Sequence, residues 1–192
     1  MTDVDLIERF LKGHTEAFNA LVRRWEKEIY NFVLRHVGCG EEAQDICQRT
    51  FIQVYHKLHK LRDRASFSSW IYRIALNACR DAARGRSKHE IRSLDRLSED
   101  GMEVAELSPG PDVISHRRGI REILNRALQS LPEEQRVVVV MKEYQELKFT
   151  EIAEILGAPT NTVKSRLYYG LNSLRKILIA WNINEEVIRH DL

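Results

Sequence analysis

No run of this 192-residue chain is long and apolar enough to cross a bilayer, and no secretory signal opens it, so the protein is expected in the cytosol without direct membrane insertion. Cysteine is scarce. Cys39, Cys47 and Cys79 are the only three and form no close-paired motif, which excludes a disulfide framework and fits reduced thiols. His36 and Cys39 have the spacing of half a metal site, yet no second pair completes it, and neither metal nor cofactor is expected. Also missing are paired catalytic carboxylates, a nucleophile–base set and a phosphate-cradling glycine loop, so the sequence does not read as an enzyme with a small-molecule substrate. Sustained period-two alternation is absent too, which excludes a strand-based fold. The formal charge of only +2 does not by itself suggest nucleic acid, so any such signal lies in where the charge sits.

What the chain does contain is amphipathic helical patterning, broken once. Helical periodicity predicts helices over Asp3 to Lys12, Glu16 to His36, Glu41 to Leu58 and Phe67 to Arg84. Ser93 to Ser115 then changes character: it holds Pro109-Gly110-Pro111 and the acids Asp95, Glu99, Asp100, Glu103, Glu106 and Asp112, with Arg96 its one cation. That is a linker composition. A second helical block begins near His116, where Pro132, Glu133 and Glu134 mark a helix start leading into Val137 to Tyr144. The expected architecture is all-α, with two small helical domains, 1–92 and 116–180, joined by a flexible acidic linker, 93–115, and followed by a tail, 181–192, with too little pattern to assign.

The second block ends in a distinctive run from Phe149 to Leu167. Thr150 is placed to cap a first helix carrying Ile152, Ala153 and Leu156 on one face, Gly157 supplies a permissive turn, and Thr160 is placed to cap a second helix. In that second helix Val163, Leu167, Leu171, Leu174 and Leu178 form an apolar stripe, which leaves Lys164, Ser165, Arg166, Tyr168, Tyr169 and Asn172 facing outward. From Thr160 to Leu178 there are four cations and no carboxylate. A capped helix, a glycine turn and an acid-free cationic helix form a helix-turn-helix suited to a phosphate-lined groove; the plain alternative is a solvated bundle helix.

The first block carries two more informative segments. Ala43, Ile46, Cys47, Thr50, Phe51, Val54 and Leu58 form a stripe, and Asp45, Gln48, Arg49 and His56 occupy other faces. Further on, Phe67-Ser68-Ser69-Trp70-Ile71-Tyr72-Arg73-Ile74-Ala75-Leu76-Asn77 interleaves aromatics, a cation and an amide before the basic stretch Arg80 to Lys88. Aromatics beside cations suit unstacked bases and their phosphates, although Trp70, Ile71 and Ile74 equally suit a core.

Those segments, with Ser130-Leu131-Pro132-Glu133 and Thr162-Val163-Lys164-Ser165-Arg166-Leu167, agree in order and spacing with one family: the chain resembles the extracytoplasmic-function (group IV) sigma factors of bacteria. The resemblance implies a non-enzymatic subunit with core RNA polymerase and promoter DNA as partners. It assigns Asp45, Gln48 and Phe51 to a clamp-binding helix on the polymerase. Trp70, Arg73, Asn77, Arg80 and Arg84 are assigned to minus-ten recognition, and the loop Leu61 to Ser66 to the pocket for a flipped base. Thr162, Lys164, Ser165, Arg166, Tyr168 and Tyr169 are assigned to minus-thirty-five recognition. It further implies an anti-sigma protein, often membrane-anchored, as a regulatory partner. Two departures stand out: Arg49 replaces a common glutamate, and Tyr169-Gly170-Leu171 replaces further arginines. A free-standing DNA-binding regulator with a sensory N-terminal domain remains the alternative reading.

Overall fold

The computed structural model describes the backbone of residues 1–94 and 117–183, with side chains described for 1–86 and 119–183. Every regular element within those residues is helical: α1 (Asp3–Leu11), α2 (Thr15–Val37), α3 (Gly40–Lys57), α4 (Phe67–Leu94), α5 (Arg117–Gln129), α6 (Glu133–Val139), α7 (Phe149–Leu156) and α8 (Thr160–Ala180). Short 3-10 turns at Leu58–Lys60 and Arg64–Ser66 join α3 to α4, and a π turn at Val140–Tyr144 extends α6.

The start of α1 is fixed reciprocally: Thr2 Oγ1 accepts from the Asp5 amide at 3.2 Å, and the Asp5 carboxylate accepts from the Thr2 amide at 2.7 Å. Helices α1 to α4 bury the stripes their sequences announce. Ala43, Ile46, Cys47, Thr50, Val54 and Leu58 are all buried, Phe51 only partly. Ile71, Ile74, Ala75 and Ala78 form the inner face of α4. The helix expected to end near Arg84 continues to Leu94, because Gly85 alone costs only about 1 kcal/mol of helix propensity and no proline interrupts it. Helix therefore covers Ser93 and Leu94, the first residues assigned to the linker; the remainder of that assignment lies outside the described residues.

In the second block, Val137, Val138, Val139, Val140 and Met141 are all buried, so α6 and its π turn form the central post against which α8 leans. The two blocks are not separate. One buried cluster runs from α1–α4 into Leu128, Leu131, Met141, Ile152 and Val163. At the seam, Gln129 Nε2 donates to the Arg35 carbonyl at 2.9 Å and the Arg35 guanidinium lies 4.2 Å from the Tyr144 ring centre. Gly38 closes α2 in the left-handed conformation, φ 80°, and a Cβ there would stand 2.9 Å from Gln129 Cγ. Both its backbone angle and the approach of α5 thus require glycine. Of the tail, Ile183 is buried, and positions 184–192 lie outside the described residues.

Candidate nucleic-acid interface

Steps of three and four residues put Trp70, Arg73, Asn77, Arg80 and Arg84 on one stripe of α4, opposite its apolar inner face. Arg73, Asn77 and Arg84 are exposed and Arg80 is partly so, whereas Trp70 is half-buried with its ring 6.1 Å from that of Phe67. The stripe is partly occupied from across the seam. Arg73 Nη2 donates to the Glu154 carbonyl at 2.6 Å and lies 4.0 Å from the Glu154 carboxylate, and Arg80 Nε donates to Glu133 Oε1 at 2.8 Å. Both pairs face solvent, so each contributes no more than about 1 kcal/mol; the apolar seam beneath them holds the contact. Tyr72, which sequence reasoning did not single out, anchors it. Its side chain is 3% exposed, its hydroxyl donates to Gln145 Oε1 at 2.7 Å, and burial pushes the phenol well above its ordinary pKa. The only signal for Tyr72 was its place in the aromatic run, and nothing local in the sequence names a partner 73 residues away.

The reading face of α8 is open by contrast. Lys164, Ser165, Tyr168 and Tyr169 are exposed, the tyrosines at 66% and 59%, while Thr162 and Arg166 are partly buried. Arg166 Nη2 donates to Glu134 at 2.6 Å, Lys164 leans over the Phe149 ring at 5.8 Å, and the Ser165 hydroxyl donates to the Asn161 and Thr162 carbonyls. Gly170 has a packing reason. A Cβ there would lie 2.8 Å from Val139 Cγ2 and 3.3 Å from Gln135 Cβ, so the bare backbone lets α8 approach α6 closely.

Three local expectations are corrected. Lys148 and not Thr150 is the N-cap of α7, because the Glu151 carboxylate accepts from the Lys148 amide at 2.6 Å and Phe149 is already helical. Pro159 precedes α8 and Thr160 is its first helical residue, with no side-chain cap bond. Leu171 is 41% exposed: the close approach at Gly170 takes the inward position that Leu171 was expected to fill. Gly157, at φ 61°, does make the left-handed turn expected of it.

On α3, Asp45 and Gln48 are exposed and Phe51 is half-buried; Gln48 and Phe51 line a shallow groove with Val22, Tyr30 and Cys47. Arg49 pairs with Asp45 at 2.5 Å one turn away, so the residue that departs from the family pattern neutralises its own neighbour. In the loop assigned to a flipped base, Leu61 is buried, and Asp63 accepts from the Ala65 amide at 3.0 Å and the Ser66 hydroxyl at 2.6 Å, fixing the turn before α4.

The buried titratable groups are not reactive. Burial pushes the Cys47 thiol up to about 11 and the Cys79 thiol up to about 12, leaving both protonated. His36 is held neutral by burial and then by Arg136, its pKa lowered to about 4. Cys39 is exposed while His36 is buried, so the pair does not converge, and among the described residues no group of three His, Cys, Asp or Glu side chains is placed to hold a metal. No described helix is long and apolar enough to cross a membrane.

Comparison with known proteins connects these faces. Residues 21–89 match the family model for Sigma-70 region 2, which includes α3 and most of α4, and residues 121–174 match Sigma-70, region 4, which includes the helix-turn-helix. The ECF RNA polymerase sigma-E factor of Escherichia coli K12 is 34% identical over 173 residues, spanning 88% of this chain and 90% of that protein. The RNA polymerase sigma-H factor of Pseudomonas aeruginosa is 30% identical over 180 residues, 92% of this chain and 93% of that one. Among solved structures, CnrH in complex with the cytosolic domain of CnrY superposes with a TM-score of 0.66 at 23% identity, covering 93% of this chain and 97% of that chain. The sigma factor RpoE of Bartonella quintana in complex with the anti-sigma factor NepR gives 0.64 at 18% identity, covering 84% and 96%. The last two similarities establish a shared fold. With both regions in order and sequence identity sustained across nearly the whole length, the chain belongs to the extracytoplasmic-function sigma factors, the non-enzymatic subunits that direct bacterial RNA polymerase to promoters.

Proposed function

We propose that this sigma factor divides its work among three faces: Asp45, Gln48 and Phe51 on α3 for the polymerase clamp; Trp70, Arg73, Asn77, Arg80 and Arg84 on α4 for the minus-ten element; Thr162, Lys164, Ser165, Arg166, Tyr168 and Tyr169 on α8 for the minus-thirty-five element. The observation that carries this reading is the segregation of polar and apolar residues. The polar members of each set lie on the outward face of a helix whose other face is core, with Phe51 and Trp70 half-buried at its edge, and both DNA sets combine cations with aromatics. The minus-ten set has the composition suited to an unstacked strand, and the minus-thirty-five set sits on the second helix of a helix-turn-helix, the element that enters a duplex groove. The segments 1–92 and 116–180 act as two units on the tether 93–115. The protein works in the cytoplasm, under an anti-sigma protein that covers its polymerase-binding faces and, when membrane-anchored, holds it at the inner membrane, in a stress or envelope response. The sigma factor RpoE of Bartonella quintana, which shares this fold and is captured with the anti-sigma factor NepR, supports that regulation.

The test is reconstitution. Purified chain added to core RNA polymerase is expected to initiate from promoters found by mapping the transcript starts that appear on overexpression. Specific duplex binding without any polymerase binding would replace this reading with that of a free-standing regulator.

A further inference from the structure

Away from the three proposed faces, α2, α5 and the end of the π turn enclose a crevice of about 420 Å³. Its walls are positive. Steps of three and four residues put Lys27, Asn31, Leu34 and Arg35 on one face of α2 and Arg121, Leu124 and Asn125 on one face of α5, so three cations, two amides and two leucines line it together with Tyr144 and without a carboxylate. Elsewhere on this surface cations find acids, as Arg24 finds Asp3 and Arg49 finds Asp45. Among the described residues, Lys27, Arg35 and Arg121 pair with none, and no protein group hydrogen-bonds the side-chain amide of Asn31 or Asn125.

Arg35 is set in place before anything binds. Its backbone carbonyl accepts from Gln129 Nε2 at 2.9 Å, its Nη1 donates to the Asn31 carbonyl at 3.2 Å, and its guanidinium carbon lies 4.2 Å from the Tyr144 ring centre. A guanidinium carries several N–H donors in a planar fork, so this one keeps donors for an oxyanion and loses little freedom in taking it. Three like charges around one hollow repel one another, and a multiply charged anion placed among them removes that repulsion. Leu34 and Leu124 supply an apolar wall, and the uncommitted amides of Asn31 and Asn125 supply donors and acceptors for a polar ring edge. The volume also falls within the range of about 300–1,000 Å³ typical of sites for small organic ligands. We propose that this crevice binds a small phosphorylated ligand of the nucleoside polyphosphate class, with its phosphates among Lys27, Arg35 and Arg121 and its base against the leucines and amides. A bare inorganic anion would leave the leucines and amides unused.

The experiment uses the full chain in magnesium-free buffer and calorimetric titration with ATP, pyrophosphate and adenosine as probes. ATP is expected to bind saturably at a single site and to raise the melting temperature, with pyrophosphate weaker and adenosine weakest. Lys27→Gln with Arg121→Gln changes two exposed side chains without protein partners, so the fold should survive, and ATP affinity is expected to fall about tenfold, the scale of two half-exposed charge contacts. Arg23→Gln with Arg126→Gln removes the same charge from the same two helices outside the crevice and should leave ATP binding unchanged. Asn31→Ala with Asn125→Ala is expected to weaken ATP and spare pyrophosphate, which separates the base from the phosphates; equal effects on both probes would overturn the nucleoside class. No saturable binding at millimolar ATP, or equal losses in the crevice variant and its charge control, would overturn the site. So would a single-stranded DNA of mixed sequence that loses affinity with Lys27→Gln and Arg121→Gln while ATP does not bind, since the crevice would then be a further nucleic-acid surface.

Discussion

The two reading helices of this sigma factor are displayed differently. On α8, Lys164, Ser165, Tyr168 and Tyr169 project into solvent, and the one tied cation, Arg166, is tied to Glu134 within its own region. On α4, Arg84 is tied to Asp81 of its own helix, but Arg73 and Arg80 are engaged by residues of the other region. The difference teaches that exposure of a reading face is a property of the whole chain and not of the helix that carries it. A recognition helix mounted on its own scaffold stays open where the domains pack, and one lying at a domain seam is partly occupied.

The largest effect is expected from breaking the mount of α8. Gly170→Val would drive a branched side chain into Val139 and Gln135, costing about 2–3 kcal/mol by overpacking, visible as a lowered melting temperature together with loss of minus-thirty-five duplex binding. Unchanged melting and binding would show that close approach of α8 to α6 is not what presents its face. Next in size, Arg166→Ala is expected to reduce discrimination at the minus-thirty-five element by about 1–3 kcal/mol, as measured on promoters altered at single positions. Arg73→Ala with Asn77→Ala should instead impair promoter opening while sparing polymerase binding, and Gln48→Ala should lose polymerase binding. Equal losses of both activities in all of them would erase the proposed division between the faces.

Acid should act on the seam more gently. His36 sits at the seam with Arg136 and Glu133 of α6 and Arg80 of α4 as its charged neighbours, and its pKa is lowered from 6.5 to about 4, by burial first and Arg136 second. A base with a lowered pKa stabilises the folded chain fully above pH 6.5, and that contribution is lost progressively as pH falls towards 4. The folded chain should therefore lose about 1 kcal/mol of stability between pH 7.5 and 5.5, read by denaturant unfolding. Glu133, despite opposing desolvation, has a pKa lowered chiefly by its hydrogen bond from Arg80 and stays charged in that window. An identical pH response in His36→Gln would remove His36 from the explanation. The smallest effect belongs to Arg49→Glu, which frees Asp45 from its exposed pair: stability should change by less than about 1 kcal/mol, with any larger change appearing in polymerase affinity and none in either DNA face.

Much of this was legible in the sequence because it is local. The stripe from Ala43 to Leu58, the glycine turn at Gly157 and the outward polar set on α8 follow from helical period and backbone preference, which act within a few residues. The misses are instructive. Thr150 and Thr160 look like caps, but Lys148 with Glu151 and the fixed backbone of Pro159 claim those ends. Leu171 fits the apolar spacing, yet an inward glycine one residue earlier lets two helices touch. Least legible was the seam, since the bond from Tyr72 to Gln145 or from Gln129 to Arg35 leaves no periodic trace in either partner.

At the entrance of α6, two adjacent carboxylates point to different helices: Glu133 holds Arg80 and Glu134 holds Arg166. A sigma factor adrift in the cell therefore meets bulk nucleic acid with these two acids already neutralising an arginine on each reading helix, besides Arg73 and Arg84 of α4, which Glu154 and Asp81 engage. Fewer free charges mean fewer counterions released on nonspecific contact, so the molecule lingers less on irrelevant DNA and remains at large for the polymerase to collect.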